Sequence, residues 1–206
     1  MLTPHYAGQR DVFYLNYSQM VLFEMSPERY LDEVIYGHKK RISRNIAFGS
    51  QMAKGLELGE ATGDPLLDLM MAKIPKFELM DIPIEADLPH KKDAIHLIAK
   101  PDSAKADYSA FKEYKTSVRK WTQKMVDESG QITFYTTVIW LKTKQIPKDI
   151  ELVDIETAHK EDGSLTATGA MWRFPTKRTM ADILKMTARM RHAWDGIKEL
   201  CAKELL

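Results

Sequence analysis

The stretch AKPDSAKADYSAFKEYKTS holds three side chains able to do chemistry together: Asp102, Glu113 and Lys115. Residues two apart in a strand point to the same face. Phe111, Glu113 and Lys115 would therefore share one side, and Lys112, Tyr114 and Thr116 the other. Asp102 stands eleven residues before Glu113, directly after Pro101. A hairpin of that length returns Glu113 to the side of Asp102, so that two carboxylates converge with one ammonium. Close carboxylates repel unless positive charge lies between them. Lys115 supplies some of that charge. A hard divalent cation such as Mg²⁺ supplies more, because it accepts carboxylate, water and phosphate oxygens. Such a group suits phosphodiester hydrolysis, in which the cation polarises the phosphoryl group and acidifies a bound water. The lysine then orients or deprotonates that water and offsets charge in the transition state. The same spacing also suits a solvated hairpin with alternating charges. In a chain with 29% charged residues, such matches arise by chance.

The elements that must position these residues can be read from patterning. Residues 1 to 15 read as loop-like or extended. The segment NYSQMVLFEMSPERYLDEVIYG reads as two short helices, with Ser18 and Ser26 as caps, Pro27 at the first helical position and Gly37 as a stop. A third helix is predicted over about 44–60, with Ile46, Gln51, Met52 and Leu56 near helical spacing. PLLDLMMAKI makes a further short helix. From Pro75 the texture changes: KFELMDIPIEADL, DAIHLIAKPD and AFKEYKT read as strands joined by short connections, in a meander. GQITFYTTVIWLKT is ambiguous, since its Thr, Val, Ile and aromatic content favours a strand while its length permits a helix. KDIELVDIETAH and TATGAMWRFP read as a hairpin about EDGSL. A long helix over about 180–204 closes the chain, with Thr179 and Asp182 as a capping box and Ile183, Met186, Met190, Trp194 and Ile197 as its apolar stripe. Helices, then strands, then a hairpin and a helix imply an α/β (α+β) fold: a central mixed β-sheet flanked by helices, with N-terminal helices.

The bulk numbers bound the possibilities. The chain has 206 residues, 44% of them hydrophobic, enough for one core and one domain over 1–206. Thirty Lys and Arg oppose 29 Asp and Glu, a net charge of +1, so the molecule as a whole exerts no strong pull on polyanions. Nucleic-acid contact would need local basic surfaces, and basic residues collect at 39–44, 118–124 and 177–192. Within the second group Lys120 and Lys124 flank the candidate site, and Trp121 could stack a base or serve as core. A single cysteine, Cys201, can form no internal disulfide and hold no iron–sulfur cluster, which agrees with a reducing compartment. No apolar run approaches the ~20 residues of a membrane span, and the first residues lack a signal-peptide pattern. A cytoplasmic protein without membrane attachment is expected.

The run from AKPD to TTVIW resembles the PD-(D/E)XK nuclease superfamily, in its RecB-like and phage-exonuclease-like branch. The carrying motifs are Pro101-Asp102, then Glu113-Tyr114-Lys115-Thr116, then Trp121, then Gln131 and Tyr135 in QITFY. The opening helices, AFGSQMAKGLE and the C-terminal segments extend the likeness over nearly the whole chain. The resemblance implies a restriction-endonuclease-like core over about 75–206, an N-terminal helical part over about 16–74, and a helix for the ambiguous segment. It also implies a Mg²⁺-dependent deoxyribonuclease, with Mn²⁺ able to substitute. Asp102 and Glu113 would hold the metal, with the Tyr114 carbonyl and Glu57 as further ligands. Lys115 would position the attacking water. Gln131 and Tyr135 would line the active-site wall, and Lys120, Trp121 and Lys124 would contact nucleic acid. The implied substrate is DNA, as linear duplex or single-stranded ends. The implied setting is recombination or end processing by a phage-type exonuclease in the host cytoplasm, as a homo-oligomer or beside a single-strand-annealing protein. The lone Cys201 sets the chain apart from iron–sulfur members of the branch. Two other readings share the fold: a non-cleaving DNA-binding or assembly protein, and a structure-selective endonuclease.

Overall fold

The computed structural model describes residues 6–7, 10–38 and 44–204. His5 and most of the basic group at 39–44 therefore lie outside the described residues.

Strands β1 (Tyr6–Ala7) and β2 (Arg10–Leu15) come first. Helix α1 (Tyr17–Met25) is capped by Asn16, not by the expected Ser18. The Asn16 side chain accepts from Gln19 N–H at 2.9 Å, and the Gln19 side chain accepts in return from Asn16 N–H at 3.2 Å. This reciprocal pair satisfies two main-chain donors at once, which a serine two residues later cannot do. Ser26 caps α2 (Pro27–Tyr30) as expected, and the helix runs on through a π-helical turn, Leu31–Ile35. Gly37 follows at φ +72°, the left-handed stop that glycine tolerates. Helices α3 (Arg44–Leu58) and α4 (Pro65–Lys73) come next. Met52 and Leu56 are buried on α3, whereas Gln51 faces water.

The strand predicted across KFELMDIPIEADL is broken. Asp81 adopts φ +53°, which turns the chain between β3 (Leu79–Met80) and β4 (Ile84–His90). A second change of direction at Pro101-Asp102 separates β5 (Asp93–Ala99) from β6 (Ser103–Ala104). The two breaks divide the expected meander between two mixed sheets. One has the order β1-β2-β5-β4. The other has the order β3-β6-β7-β8-β9, built from β6, β7 (Ala110–Ser117), β8 (Asp149–His159) and β9 (Leu165–Thr176). In the second sheet β7 and β8 run parallel, and the other pairings are antiparallel.

Helices α5 (Gln123–Asp127) and α6 (Gly130–Thr143) bridge β7 and β8, and α7 (Met180–Glu204) follows β9. The ambiguous segment is thus helical. One hydrophobic core joins Ile84, Leu88, Ile95 and Leu97 of the first sheet to Phe111, Ile150 and Leu152 of the second, with Ile132, Phe134, Val138 and Ile139 of α6 between them. The α7 stripe of Ile183, Met186, Met190, Trp194 and Ile197 is buried as expected, and Thr179 and Asp182 exchange their capping bonds. A second cluster packs α3 and α4 on the opposite face of the second sheet, against Tyr114, Val153 and Ile155. Strand β7 therefore lies between two apolar layers, and its alternating side chains are sorted between them.

Candidate active site

Strand pairing brings the two carboxylates together. In the β6–β7 ladder Ser103 lies opposite Lys112. The next position on β6 would be Asp102, and the next on β7 is Glu113. There the ladder stops, and Asp102 substitutes a side-chain bond for a main-chain one: its Oδ2 accepts the Tyr114 N–H at 2.6 Å. The main-chain oxygen of Asp102 accepts from Asp81 N–H at 3.2 Å, tying the two breaks of the chain together.

Glu113 points toward α6 and is 3% exposed. Its Oε1 accepts from Lys115 Nζ at 2.5 Å and from Gln131 Nε2 at 2.8 Å. Gln131 Nε2 also donates to Tyr135 Oη at 2.8 Å. Gln131 and Tyr135 are four positions apart, about one turn of α6, so they share one helix face, where Gln131 reaches the Glu113 carboxylate and Tyr135 contacts Gln131. The other Glu113 oxygen, Oε2, is buried with no hydrogen-bond partner among the described residues. Leaving a buried charged acceptor unmatched costs on the order of 1–3 kcal/mol or more. An orphaned carboxylate oxygen is therefore a feature that asks for a ligand.

Electrostatics point the same way. Burial, together with the Glu113 charge, pushes the Asp102 carboxyl up to about 8, against the pull of the Tyr114 N–H and Lys115. For Lys115, burial would favour the neutral amine, but the adjacent Glu113 and then Asp102 outweigh it and raise the ammonium above its ordinary value. Burial beside Glu113 raises the Tyr135 phenol as well, so it stays protonated. The site is a buried pair of acids with too little positive charge. Hard oxygen donors, one of them unsatisfied, fit a divalent cation.

Asp102 opens onto a cleft of about 450 Å³ between β7 and α3, lined by Asp81, Asp102 and Lys115 on one side and Gly49, Ser50 and Glu57 on the other, while Glu113 stays buried behind it. Glu57 is exposed at the rim. Among the described residues, no three His, Cys, Asp or Glu side chains form a preassembled metal cluster. Tyr114 contributes main chain to the site, while its hydroxyl turns to the opposite layer and donates to the Pro75 carbonyl at 2.9 Å. Asp81 is a carboxylate that sequence reasoning passed over. It lines the cleft, helps to raise the Asp102 carboxyl by charge repulsion and pairs with Lys100. Its left-handed turn conformation has no spacing signature.

The basic groups separate into different roles. Lys120 and Lys124 are exposed, Lys124 lying 3.9 Å from Glu128. Trp121 is half-buried against the hydrophobic core, and its main-chain N–H donates to the Asp154 carboxyl at 3.2 Å. In the third group Arg178 is 6% exposed and acts as an internal tie, donating to Thr133, Thr176, Lys177, Val126 and Ser129. Arg189 forms a two-point pair with Glu24, and Arg191 donates to the Pro89 carbonyl. These three arginines are engaged in bonds that tie elements of the fold together. Cys201 forms no disulfide and packs at the edge of the core. No helix among the described residues is long and apolar enough to cross a membrane.

No protein-family model matches the chain, and no curated protein matches it. Among solved structures it is similar to a putative exonuclease from Eubacterium rectale, at 13% identity and a TM-score of 0.58, over 93% of this chain and 82% of that one. It is also similar to LHK-Exo in complex with dAMP, at 13% identity and a TM-score of 0.51, over 94% of this chain and 95% of that one. LHK-Exo is described as an alkaline exonuclease from Laribacter hongkongensis. At these identities the likeness speaks to architecture: this chain shares the fold of those exonuclease structures, the architecture that the resemblance of the Asp102 and Glu113-Tyr114-Lys115 pattern implies.

Proposed function

We propose that this chain is a Mg²⁺-dependent deoxyribonuclease: a single nuclease domain hydrolysing phosphodiester bonds from DNA ends, as phage-type exonucleases do in recombination or end processing in the cytoplasm. One observation carries the reading. A buried glutamate, Glu113, presents an unpartnered oxygen beside the Asp102 carboxylate while its other oxygen is held by Lys115 and Gln131. Asp102 and Glu113 would hold the cation, with the Tyr114 carbonyl and, from α3, Glu57 as further oxygen donors. When bound, a divalent cation supplies Lewis-acid polarisation of the phosphoryl group and a more acidic water.

The chain's own residues do the remainder. Gln131 fixes the Glu113 carboxylate and is itself in contact with Tyr135, so α6 sets the angle of the acid. Lys115 extends from β7 into the cleft, where its ammonium orients an attacking water and offsets charge on the phosphoryl oxygens. The fold resemblance supports a nuclease, and the presence of dAMP in the LHK-Exo structure is compatible with a nucleotide-sized product.

The test uses end-labelled linear duplex with Mg²⁺, with and without 5′-phosphate, and closed circular DNA in parallel. Expected are metal-dependent release of nucleotides from the linear form, no cutting of the circle, and no cleavage by Lys115→Ala or Asp102→Ala that remain folded. Wild-type turnover in either variant would overturn the site. Cutting of the circle would show a structure-selective endonuclease. Binding of DNA without cleavage at any Mg²⁺ or Mn²⁺ concentration would show a non-cleaving assembly protein.

A further inference from the structure

Across the second sheet, Lys115 of β7 lies opposite Asp154 of β8, which lies opposite Trp172 of β9. Three strands in one row place Trp172 two strand spacings, about 10 Å, from Lys115. Residues directly opposite in a ladder project to the same face, so Trp172 stands on the side toward which Asp154 turns. Trp172 is 39% exposed, unusual for so large an apolar group. Lys120 holds its Nζ over the indole ring, 3.0 Å from the centroid.

The loop that delivers Lys120 is built to stay in place. It leaves the end of the catalytic strand at Ser117, whose hydroxyl donates to Asp154 at 2.6 Å, and it is pinned again where Trp121 N–H reaches the same carboxylate. Asp154 is fully buried, and burial raises its carboxyl above the ordinary range against the lowering pull of these bonds. The other acid on this stretch of β8, Glu156, accepts from Thr168 at 2.8 Å. The outward charges of the loop are Arg119 and Lys120, both exposed. A half-exposed aromatic ring with a lysine over it, and an exposed arginine next to that lysine in the chain, make a stacking platform with phosphate-binding groups.

We propose that Trp172, with Lys120 and Arg119, is a nucleic-acid platform that holds unpaired nucleotides of the DNA substrate. Resting on the nuclease reading above, it takes over the stacking role that the sequence offered to Trp121, whose ring packs against the core. At the ~3.4 Å per nucleotide along one strand of a duplex, its distance from Lys115 spans about three nucleotides, and an extended single strand crosses it in fewer. Stacking needs an open base face, which single strands offer and paired bases do not, so the platform favours single-stranded ends.

The experiment measures Mg²⁺-dependent cleavage and, in EDTA, binding of a labelled single-stranded oligonucleotide and of a blunt duplex, by the full chain and by Trp172→Ala, Trp172→Phe and Arg119→Ala/Lys120→Ala. Melting temperature and light scattering are recorded for each variant. Trp172→Ala is expected to raise KM and Kd for the single strand about tenfold, with kcat at saturation within about twofold of wild type and a smaller change for the blunt duplex. Trp172→Phe should recover most of the loss, and the double variant should reduce the salt dependence of binding by about one to two phosphate contacts. Unchanged KM and Kd in a folded Trp172→Ala overturn the proposal. So does a change of oligomeric state at unaltered oligonucleotide affinity, which would assign the tryptophan to a second copy of the chain. A wild type that fails to cut sinks the nuclease reading, while the binding comparison still decides the platform.

Discussion

Replacing Asp102 by Asn separates the cost of the acid pair from its use. The substitution keeps an oxygen to accept the Tyr114 N–H, now held at 2.6 Å, and removes only the charge. In wild type, burial and the neighbouring Glu113, whose Oε2 is already unmatched, push the Asp102 carboxyl up to about 8, so ionising it is costly and the charge is carried in full only above that pH or with a cation bound. Any gain from the substitution fades as pH falls and the wild-type carboxyl protonates. Above about pH 8, where the charge is carried, removing it from a buried group that lacks full compensation is neutral or stabilises by about 1–2 kcal/mol. For a chain of this size that is a rise in Tm of up to about 8 °C. The metal response should go the other way. A cation at a hundred times its Kd stabilises the folded state by about 2.7 kcal/mol, or about 5–10 °C. Melting in EDTA and then across a Mn²⁺ or Mg²⁺ titration reads both effects. Wild type is expected to start lower and climb. Asp102→Asn should start as high or higher, stay flat, and cut no DNA. If Asp102→Asn melts well below wild type in EDTA, or climbs with metal as wild type does, then the carboxylate pair is not a site held at a cost for a cation.

Three more predictions concern the frame around that pair. Gly130 begins α6, one residue before Gln131, and a Cβ there would sit 2.6 Å from Tyr17 Oη and 3.2 Å from Arg189 Nη1. Gly130→Ala should therefore destabilise by about 1–3 kcal/mol in urea titration and lower cleavage, and Tyr17→Phe in the same chain should recover part of the loss. Glu151 is 6% exposed and neutralises Lys112, 4% exposed, at 2.6 Å while receiving two bonds from Arg173. Glu151→Ala strands the buried lysine and should cost about 3–5 kcal/mol, whereas Lys112→Met with Glu151→Leu should cost far less in the same measurement. Asp64 caps α4 through Leu66 and Leu67 N–H at 3.0 Å and also accepts from Ala167 N–H of β9. Its partial burial acts to raise the carboxyl, but these bonds and one from Thr166 prevail and lower it. A depressed folded-state value stabilises above the unfolded value of about 3.9 and loses that contribution as pH falls through the folded one. Asp64→Ala should cost about 1 kcal/mol at pH 7, and the difference from wild type should shrink on melting below pH 4.

The site was legible where chemistry and spacing coincide. Asp102, Glu113 and Lys115 meet because ten intervening residues suffice for β6, its turn and the start of β7. The turn makes an antiparallel return obligatory. Gln131 and Tyr135 were harder, because their spacing suits either period. Composition argued for a strand. The structure resolves this through Thr133, Thr136, Thr137 and Thr143, whose hydroxyls each donate to the carbonyl four residues back. That bond lets a β-branched polar residue lie inside a buried helix with its hydroxyl satisfied. The split of the strands into two sheets was not legible. It hangs on backbone turns at Asp81 and around Asp102, and an aspartate in a left-handed turn looks in sequence like any surface acid. Nor was the fate of Arg178, one more positive charge in a basic run until the fold surrounds it with carbonyls.

Strand β6 is only two residues long, and this brevity reaches beyond catalysis. Among the described residues, from Glu113 onward β7 pairs with a strand on one side alone, so part of its rim is left without a ladder partner. Unpaired rims invite foreign strands and seed aggregates. Here the invitation is withdrawn by Asp102, which occupies the Tyr114 N–H, and by the charged Lys115 beside it. The same groups that would meet a phosphate thus guard the chain against its own kind, and a variant that empties this corner risks solubility along with activity.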